Sequence, residues 1–290
     1  MPETRQTVTS LYRLTRLPVD YRDEIFALYP SFKLGVRQST VDYARRLLPL
    51  AEALMASNAQ PADWALTAPP YHEIPAAANL LCLEMFDRLK ARLPTQLNLS
   101  LVKIAEQTHS FDGDKAPDDY SRLTCRERSD SRERSAGALL HHEGLSGRSV
   151  IFVNDINVTG AQQRVMCRYF ERAGTTAIHW LYIIDVEKSL GKRTPQIEYA
   201  INNSKLATFD DFAHMMATED MDFTSKCIAR VFSYGSVELH RLFGMLSAER
   251  RSNILKLVLQ DGRYRGDYFK EKIDLLTAFC SLDRGIAEPR

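Results

Sequence analysis

Residues 149–162 of this 290-residue chain read Ser-Val-Ile-Phe-Val-Asn-Asp-Ile-Asn-Val-Thr-Gly-Ala-Gln, and no other stretch limits the fold as tightly. Residues 150–153 are a short apolar run, rich in β-branched side chains and bounded by polar residues. That is the pattern of a buried strand in a parallel sheet. Asn154 and Asp155 stand at the C-terminal end of this strand, followed by a turn through Asn157, Thr159 and Gly160. From Ala161 the period becomes helical, with Val165, Tyr169 and Ala173 on one face. An acid at a strand end and a Thr-Gly at a helix start suit a phosphorylated sugar. The carboxylate accepts hydrogen bonds from vicinal hydroxyls, while backbone N–H groups at the helix N-terminus take the phosphate. The alternative role for Asp155 is simply to cap the helix that follows.

The rest of the chain supplies alternating elements. A short strand is expected at 8–14 and a short helix at 20–29. A helix at 41–55 carries Ala44, Leu47, Leu48, Ala51 and Leu54 on one face, with Pro49 expected to kink it or move its start. Residues 29–35, Tyr-Pro-Ser-Phe-Lys-Leu-Gly, have turn chemistry around a lone lysine and read as a surface loop. A second buried strand at 63–68 ends in Pro69-Pro70-Tyr71-His72-Glu73-Ile74-Pro75. A long helix follows over 76–93, its first turn built of small residues. Further strands are expected at 97–104 and 176–186, and an edge strand at 198–201. This order predicts an α/β fold with a mostly parallel central sheet flanked by helices. Beyond it, apolar stripes at 209–216, 223–232, 237–245, 248–259 and 268–279 predict a helical C-terminal extension. The expected division is a core at 1–205 and a cap at 206–290.

Between 106 and 147 the pattern collapses. Residues 110–121 are turn-rich and 122–134 are dense in charge. One reading is a solvated charged helix; the other is a mobile flap carrying Arg or Lys to an anionic ligand. His141-His142-Glu143 is disfavoured as a metal site, because adjacent histidines point apart on a regular element.

Charge is balanced, with 38 basic and 37 acidic residues. No global pull toward nucleic acid or acidic membranes follows, although 126–134 is a local basic cluster. The longest apolar runs are too short or too interrupted to span a bilayer, and residues 1–16 lack the apolar segment of a secretion signal. Five widely spaced cysteines without a CxxC point to free thiols and a cytoplasmic protein. No GxGxxG follows a predicted strand and no GxxxxGK[ST] occurs, which argues against a dinucleotide fold and a nucleoside triphosphatase.

Residues 150–162 resemble the phosphoribosyl-pyrophosphate signature of type I phosphoribosyltransferases. That signature has four apolar residues, two acids, a short variable turn, Thr-Thr-Gly and a further Thr. Asp155 matches the second acid and Thr159-Gly160 the Thr-Gly. Asn154, Val158 and Gln162 stand where the family has the first acid, the first Thr and the last Thr. In order along the chain, residues 67–75 take the place of the family's diphosphate-binding loop and 106–135 that of its long flexible loop. Phe32-Lys33-Leu34-Gly35 resembles the N-terminal substrate-contacting segment of some members. Over about residues 20–190 the chain is most similar to bacterial phosphoribosyltransferase-like proteins found with stress-response gene clusters of the tellurium-resistance type.

The resemblance implies transfer of a phosphoribosyl group from phosphoribosyl pyrophosphate to a base-like acceptor, or the reverse. It implies Mg2+ bound through the substrate's diphosphate, with Asp155 as its protein contact. Val158, Thr159, Gly160, Ala161 and Gln162 would hold the 5-phosphate. Asp155 and Asn154 would hold the 2- and 3-hydroxyls, although Asn154 brings no charge to a magnesium-bound diphosphate. Ala68, Pro69, Pro70 and Tyr71 would contact diphosphate, with His72 a further candidate, and Lys33 would contact substrate. A cation among Lys115, Arg122, Arg126 and Arg128 would close over the site, Lys115 and Arg126 being grouped with Asp155 as catalytic. An N-terminal or C-terminal hood would meet the base. Two other classes stay open: a non-catalytic regulator that senses the sugar diphosphate or a nucleotide, and a scaffold using the C-terminal helices. Small molecules are the expected partners, with nucleic acid and membrane disfavoured and a homodimer open.

Overall fold

A computed structural model of the chain describes residues 4–57, 63–94, 97–105, 120–136, 139 and 143–285. Strands β1 (Arg5–Leu14), β2 (Trp64–Thr67), β3 (Leu99–Val102), β4 (Ser149–Asn157) and β5 (Ala177–Val186) form one parallel sheet in the order β1-β5-β4-β2-β3. Helices α1 (Glu24–Ala27), α2 (Tyr29–Leu34) and α3 (Arg37–Ala56) precede β2, and α4 (Ala77–Arg92) joins β2 to β3. Helix α5 (Cys125–Ala136) precedes β4, and α6 (Ala161–Arg172) joins β4 to β5. Then come α7 (Lys188–Arg193), α8 (Ile197–Asn202), α9 (Phe209–Thr218), α10 (Ser225–Ser233), α11 (Ser236–Met245), α12 (Ala248–Gln260) and α13 (Asp267–Gly285). The α/β architecture with C-terminal helices is the one the sequence predicts.

The sheet is buried on both faces, as its uninterrupted apolar strands require. Ile151 and Val153 of β4 face a core shared with Phe32, Leu47, Leu81 and Leu181. Val150 and Phe152 face the opposite core, with Phe170 and Trp180. There the Phe152 and Trp180 rings meet edge to face with centroids 5.2 Å apart. The chain turns outward from β2 to β3, then returns to place β4 on the other side of β2. The crevice between the C-terminal ends of β2 and β4 is therefore the topological switch point of the sheet, where open parallel sheets place their ligands.

The C-terminal helices have a core of their own, including Phe212, Ile228, Leu242, Ile254 and Leu276, into which Leu34, Val36 and Ile74 also project. Polar residues set their boundaries: the hydroxyls of Thr208, Thr224 and Ser247 accept backbone N–H groups at the starts of α9, α10 and α12. The join to α2 also uses hydrogen bonds to its backbone and to the residues just after it. Asp222 N–H donates to Gly35 O at 2.9 Å, Arg37 N–H to Asp220 O at 2.9 Å, and the Thr224 hydroxyl to Lys33 O at 2.8 Å.

Three local expectations need correction. Residues 29–35 form the buried helix α2 and its left-handed Gly35 cap, not a surface loop. Pro30 begins the helix and Gly35 ends it, so the residues that suggested a turn are helix punctuation instead. Residues 198–201 lie in α8, not in an edge strand. Ile197 and Ile201 are four apart and both buried in the same core, so a helix covers them from one face. Helix α3 starts earlier than expected, at Arg37, and runs on past Pro49. Among the described residues no helix is long and apolar enough to cross a membrane.

Gly35 has φ of 99°, and a Cβ there would lie 1.9 Å from Asp222 O. Gly35→Ala is expected to lose at least about 1–3 kcal/mol through backbone strain and clash, read as a lower thermal midpoint.

Candidate functional site

Strand β4 is longer than its apolar run implied. Phe152 is opposite Thr67, the last residue of β2, whereas pairing with β5 continues to Asn157 opposite Asp185. Beyond Phe152 one edge of β4 therefore faces the crevice. Alternation along the strand sends Asp155 to the side of Ile151 and Val153, and Asn154 to the side of Phe152. The two candidate residues thus meet different neighbours.

Asp155 meets Lys33. The Lys33 ammonium is in contact with Asp155 Oδ2, while Asp155 Oδ1 accepts the Ile156 N–H at 2.7 Å. The same ammonium donates to Glu198 Oε1 at 3.3 Å, and Glu198 Oε2 accepts from Arg128 Nη1 at 3.0 Å. Side-chain exposures of 15% for Lys33, 9% for Asp155, 10% for Glu198 and 3% for Arg128 place this quartet largely out of water. Burial works against the Lys33 charge, but Asp155 and then Glu198 outweigh it, so Lys33 titrates above an ordinary lysine. The Tyr29 hydroxyl is enclosed beside them without a well-formed hydrogen bond. Burial first, and then Asp155 and Glu198, push its pKa well up.

Asn154 meets α6, its Nδ2 donating to Gln162 Oε1 at 2.9 Å. Both residues depart from the phosphoribosyltransferase signature, and here they satisfy one another. The turn between them is ordered locally. Gly160 N–H donates to Asn157 Oδ1 at 3.1 Å, Ala161 N–H to Thr159 Oγ1 at 3.4 Å, and Gly160 has φ of 70°. Val158 and Ala161 are buried as supports of the turn. Gly191 of α7 lies so close to it that a Cβ would be 1.9 Å from Val158 O.

These groups line a cavity of about 1310 Å³ that extends from the crevice to α8, α10 and the segment before α13. Among the described residues eight cationic side chains line it, Lys33, Arg122, Arg128, Arg132, Arg134, Lys226, Arg230 and Arg263, against the two carboxylates of Asp155 and Glu198. In a chain of net charge +1 that concentration is local, and it favours an anionic ligand. Pro69, Pro70, Tyr71 and His72 also line the cavity, whereas Ala68 lies behind them. Because Pro69 and Pro70 have no N–H, this loop offers an anion few backbone donors. Asn202 lines the wall with both amide atoms buried and unpartnered among the described residues.

The charged segment is a helix docked on the body. Arg128 anchors it, donating to Glu198 and also to Leu123 O at 3.2 Å, Ser121 O at 2.9 Å and Pro195 O at 2.7 Å. Arg164 and Arg168 of α6 bond Ser129 and Glu133 across the contact. Arg126, expected to close on the ligand, points away instead, 93% exposed and paired at 3.9 Å with Asp130. Lys115 and His141-His142 lie outside the described residues. Arg122 and Arg128 line the cavity, as do Arg132 and Arg134. Glu198 was missed because its partners are far away in the chain, at 33 and 128, and no local pattern announces them.

The donor set does not fit a magnesium ion held by Asp155. One carboxylate oxygen contacts the Lys33 ammonium, the other accepts an N–H, and Asn154 is neutral. Among the described residues no three His, Cys, Asp or Glu side chains are grouped to hold a metal.

Arg128→Met removes one member of the buried quartet and leaves Glu198 with a single cation. It is expected to cost about 3 kcal/mol and to speed hydrogen exchange across residues 125–136.

A family described as PRTase ComF-like matches residues 6–276. The chain belongs to that family, a type I phosphoribosyltransferase-like one, and the match takes in the C-terminal helices as well as the sheet. A comparison with curated proteins gives no match.

Proposed function

We propose that this ComF-like phosphoribosyltransferase relative binds phosphoribosyl pyrophosphate at the β2–β4 crevice and transfers its phosphoribosyl group to a base-like acceptor, or runs the reverse. One observation carries the reading: Asp155, the Thr159-Gly160 turn before α6 and a cationic wall converge on one cavity at the sheet's switch point. The N–H groups of the turn and of the first turn of α6 would receive the 5-phosphate. It would displace the weak internal bonds from Gly160 and Ala161. Asp155 and Asn154 would receive the ribose hydroxyls.

As the bond from ribose C1 to the diphosphate oxygen breaks, its electron pair leaves with the diphosphate and C1 becomes oxocarbenium-like. The acceptor nitrogen bonds to C1 through its lone pair, and its proton passes to the departing diphosphate or to water. Developing negative charge needs cations already in place, and Arg122 and Arg132 line the cavity for that task. Side-chain cations take on this role because Pro69 and Pro70 offer no donors. The acceptor would lie deeper, toward Lys226, Tyr234 and Tyr264, where the C-terminal helices form the wall.

A second reading, a sensor that binds the sugar diphosphate without turning it over, is favoured by the Asn154–Gln162 bond. It satisfies two polar groups that an incoming ligand would have to separate. Isothermal titration with phosphoribosyl pyrophosphate tests the site common to both readings. Diphosphate release across a panel of nucleobases then distinguishes them.

Asp155→Asn keeps the shape of the side chain and removes its charge. It is expected to lower diphosphate release by about a hundredfold or more, a larger loss than its fall in thermal midpoint explains. A variant that melts lower yet turns over normally would remove Asp155 from the reaction.

A further inference from the structure

The Lys33–Asp155 contact occupies the place where a metal would be expected to engage this site. From the geometry we infer that Lys33 is the resident cation of the ribose subsite, so that sugar-phosphate binding there needs no divalent ion. The inference rests on the ribosyl-phosphate reading above and specifies how that site is charged.

Four observations converge on it. The Lys33 ammonium contacts Asp155 Oδ2 and reaches Glu198 Oε1 at 3.3 Å, so it already sits between two carboxylates. Its position is fixed from both ends. Helix α2 is buried through Tyr29, Phe32 and Leu34, and the carbonyl of Lys33 itself is held by Thr224. The site is neutral as it stands, with Lys33 and Arg128 balancing Asp155 and Glu198. The neighbouring position that would add a second acid beside Asp155 is Asn154, whose amide is bonded to Gln162 rather than facing Lys33.

A divalent ion reaching Asp155 would sit against the ammonium, and their repulsion would drive Lys33 off the carboxylate. Lys33 would then be left facing Glu198, a carboxylate already shared with Arg128, in a setting that does not tolerate surplus buried charge. A sugar hydroxyl meets no such obstacle, because it can donate to a carboxylate oxygen while the ammonium stays. Divalent ions would therefore reach this cavity only as passengers on a diphosphate. A ligand without a diphosphate should be insensitive to them.

Ribose 5-phosphate is that ligand, and phosphoribosyl pyrophosphate is its companion. Both are titrated calorimetrically into the full chain, in EDTA and in magnesium. For ribose 5-phosphate the two affinities are expected to agree within about threefold. Lys33→Met is expected to weaken binding in EDTA by about tenfold or more and to regain part of it in magnesium, since the exposed carboxylate pair can then accept the ion. Lys33→Arg, which keeps a cation there, is expected to remain indifferent to magnesium.

A tenfold or greater gain in ribose 5-phosphate affinity on adding magnesium to the wild-type protein would overturn the inference and leave the sugar-phosphate reading standing. So would Lys33→Met binding as well as wild type in EDTA. If neither ligand binds the wild type in either buffer, the sugar-phosphate reading itself fails and the inference falls with it. The wild-type comparison decides the matter even where Lys33→Met does not fold, and a thermal melt of each variant identifies that case.

Discussion

An ammonium enclosed with two carboxylates constrains everything around it, because removing any one charge leaves another buried without compensation. In this chain the quartet of Lys33, Asp155, Glu198 and Arg128 joins four elements that are remote in sequence: α2, β4, α8 and α5. Strand β4 is fixed by the sheet, and the short helices α2 and α8 each bury apolar side chains in the core beside it. Helix α5 carries almost no apolar side chains. Its place at the cavity is held by charge pairing and by backbone carbonyls bonded to Arg128. The site thus adds charge pairing to a framework whose own cohesion is hydrophobic.

The C-terminal helices belong to the same construction. Their core admits Leu34, Val36 and Ile74 from the N-terminal part, and the segment from Asp220 to Thr224 bonds the backbone at Lys33, Gly35 and Arg37. Gly35 allows that approach, since a side chain at its Cβ would collide with Asp222 O. The consequence is mechanical: the helix carrying Lys33 is clamped from outside the sheet, so α9 and α10 help determine where a cation sits in the crevice. Lys226, Arg230 and Tyr234 then place that same helical unit on the cavity wall.

What was legible in the sequence follows from how local each signal was. The β4-to-α6 unit could be read because an apolar run and a change of period lie within fourteen residues, and the buried sheet repeats the same signal. The C-terminal helices were legible through their apolar stripes, and the structure adds caps at Thr208, Thr224 and Ser247. Helix α8 misled because Ile197, Tyr199 and Ile201 alternate like a strand, while Ile197 and Ile201 also share a helix face; both are buried in one core, which the helix serves from a single face. Charge density on α5 suggested solvent, and Arg126 is indeed in solvent. Nothing local distinguishes Arg126 from Arg128, two residues on, which is buried because Glu198 and three carbonyls are waiting for it. Ion pairs between distant segments leave no periodicity, so Lys33, Asp155 and Arg128 were legible singly while their connection through Glu198 was not.

The departures from the phosphoribosyltransferase signature take on a different character once the partners are known. Read singly, Asn154 is a lost acid and Gln162 a lost hydroxyl, two defects in a binding motif. In the structure they form one hydrogen bond, on the face of β4 away from Lys33. An acid at 154 would add a second negative charge at the end of β4, on a face where its partner Gln162 is a neutral amide and not a cation. A neutral amide at 154 and a lysine at 33 are therefore complementary parts of one arrangement. The neutral residue keeps the charge count even, and the lysine supplies the positive charge within the chain. Bonding to Gln162 gives the Asn154 amide a partner that titrates with nothing and moves only with the first turn of α6. The end of β4 and the first turn of α6 are thereby tied to each other through two side chains rather than through an ion.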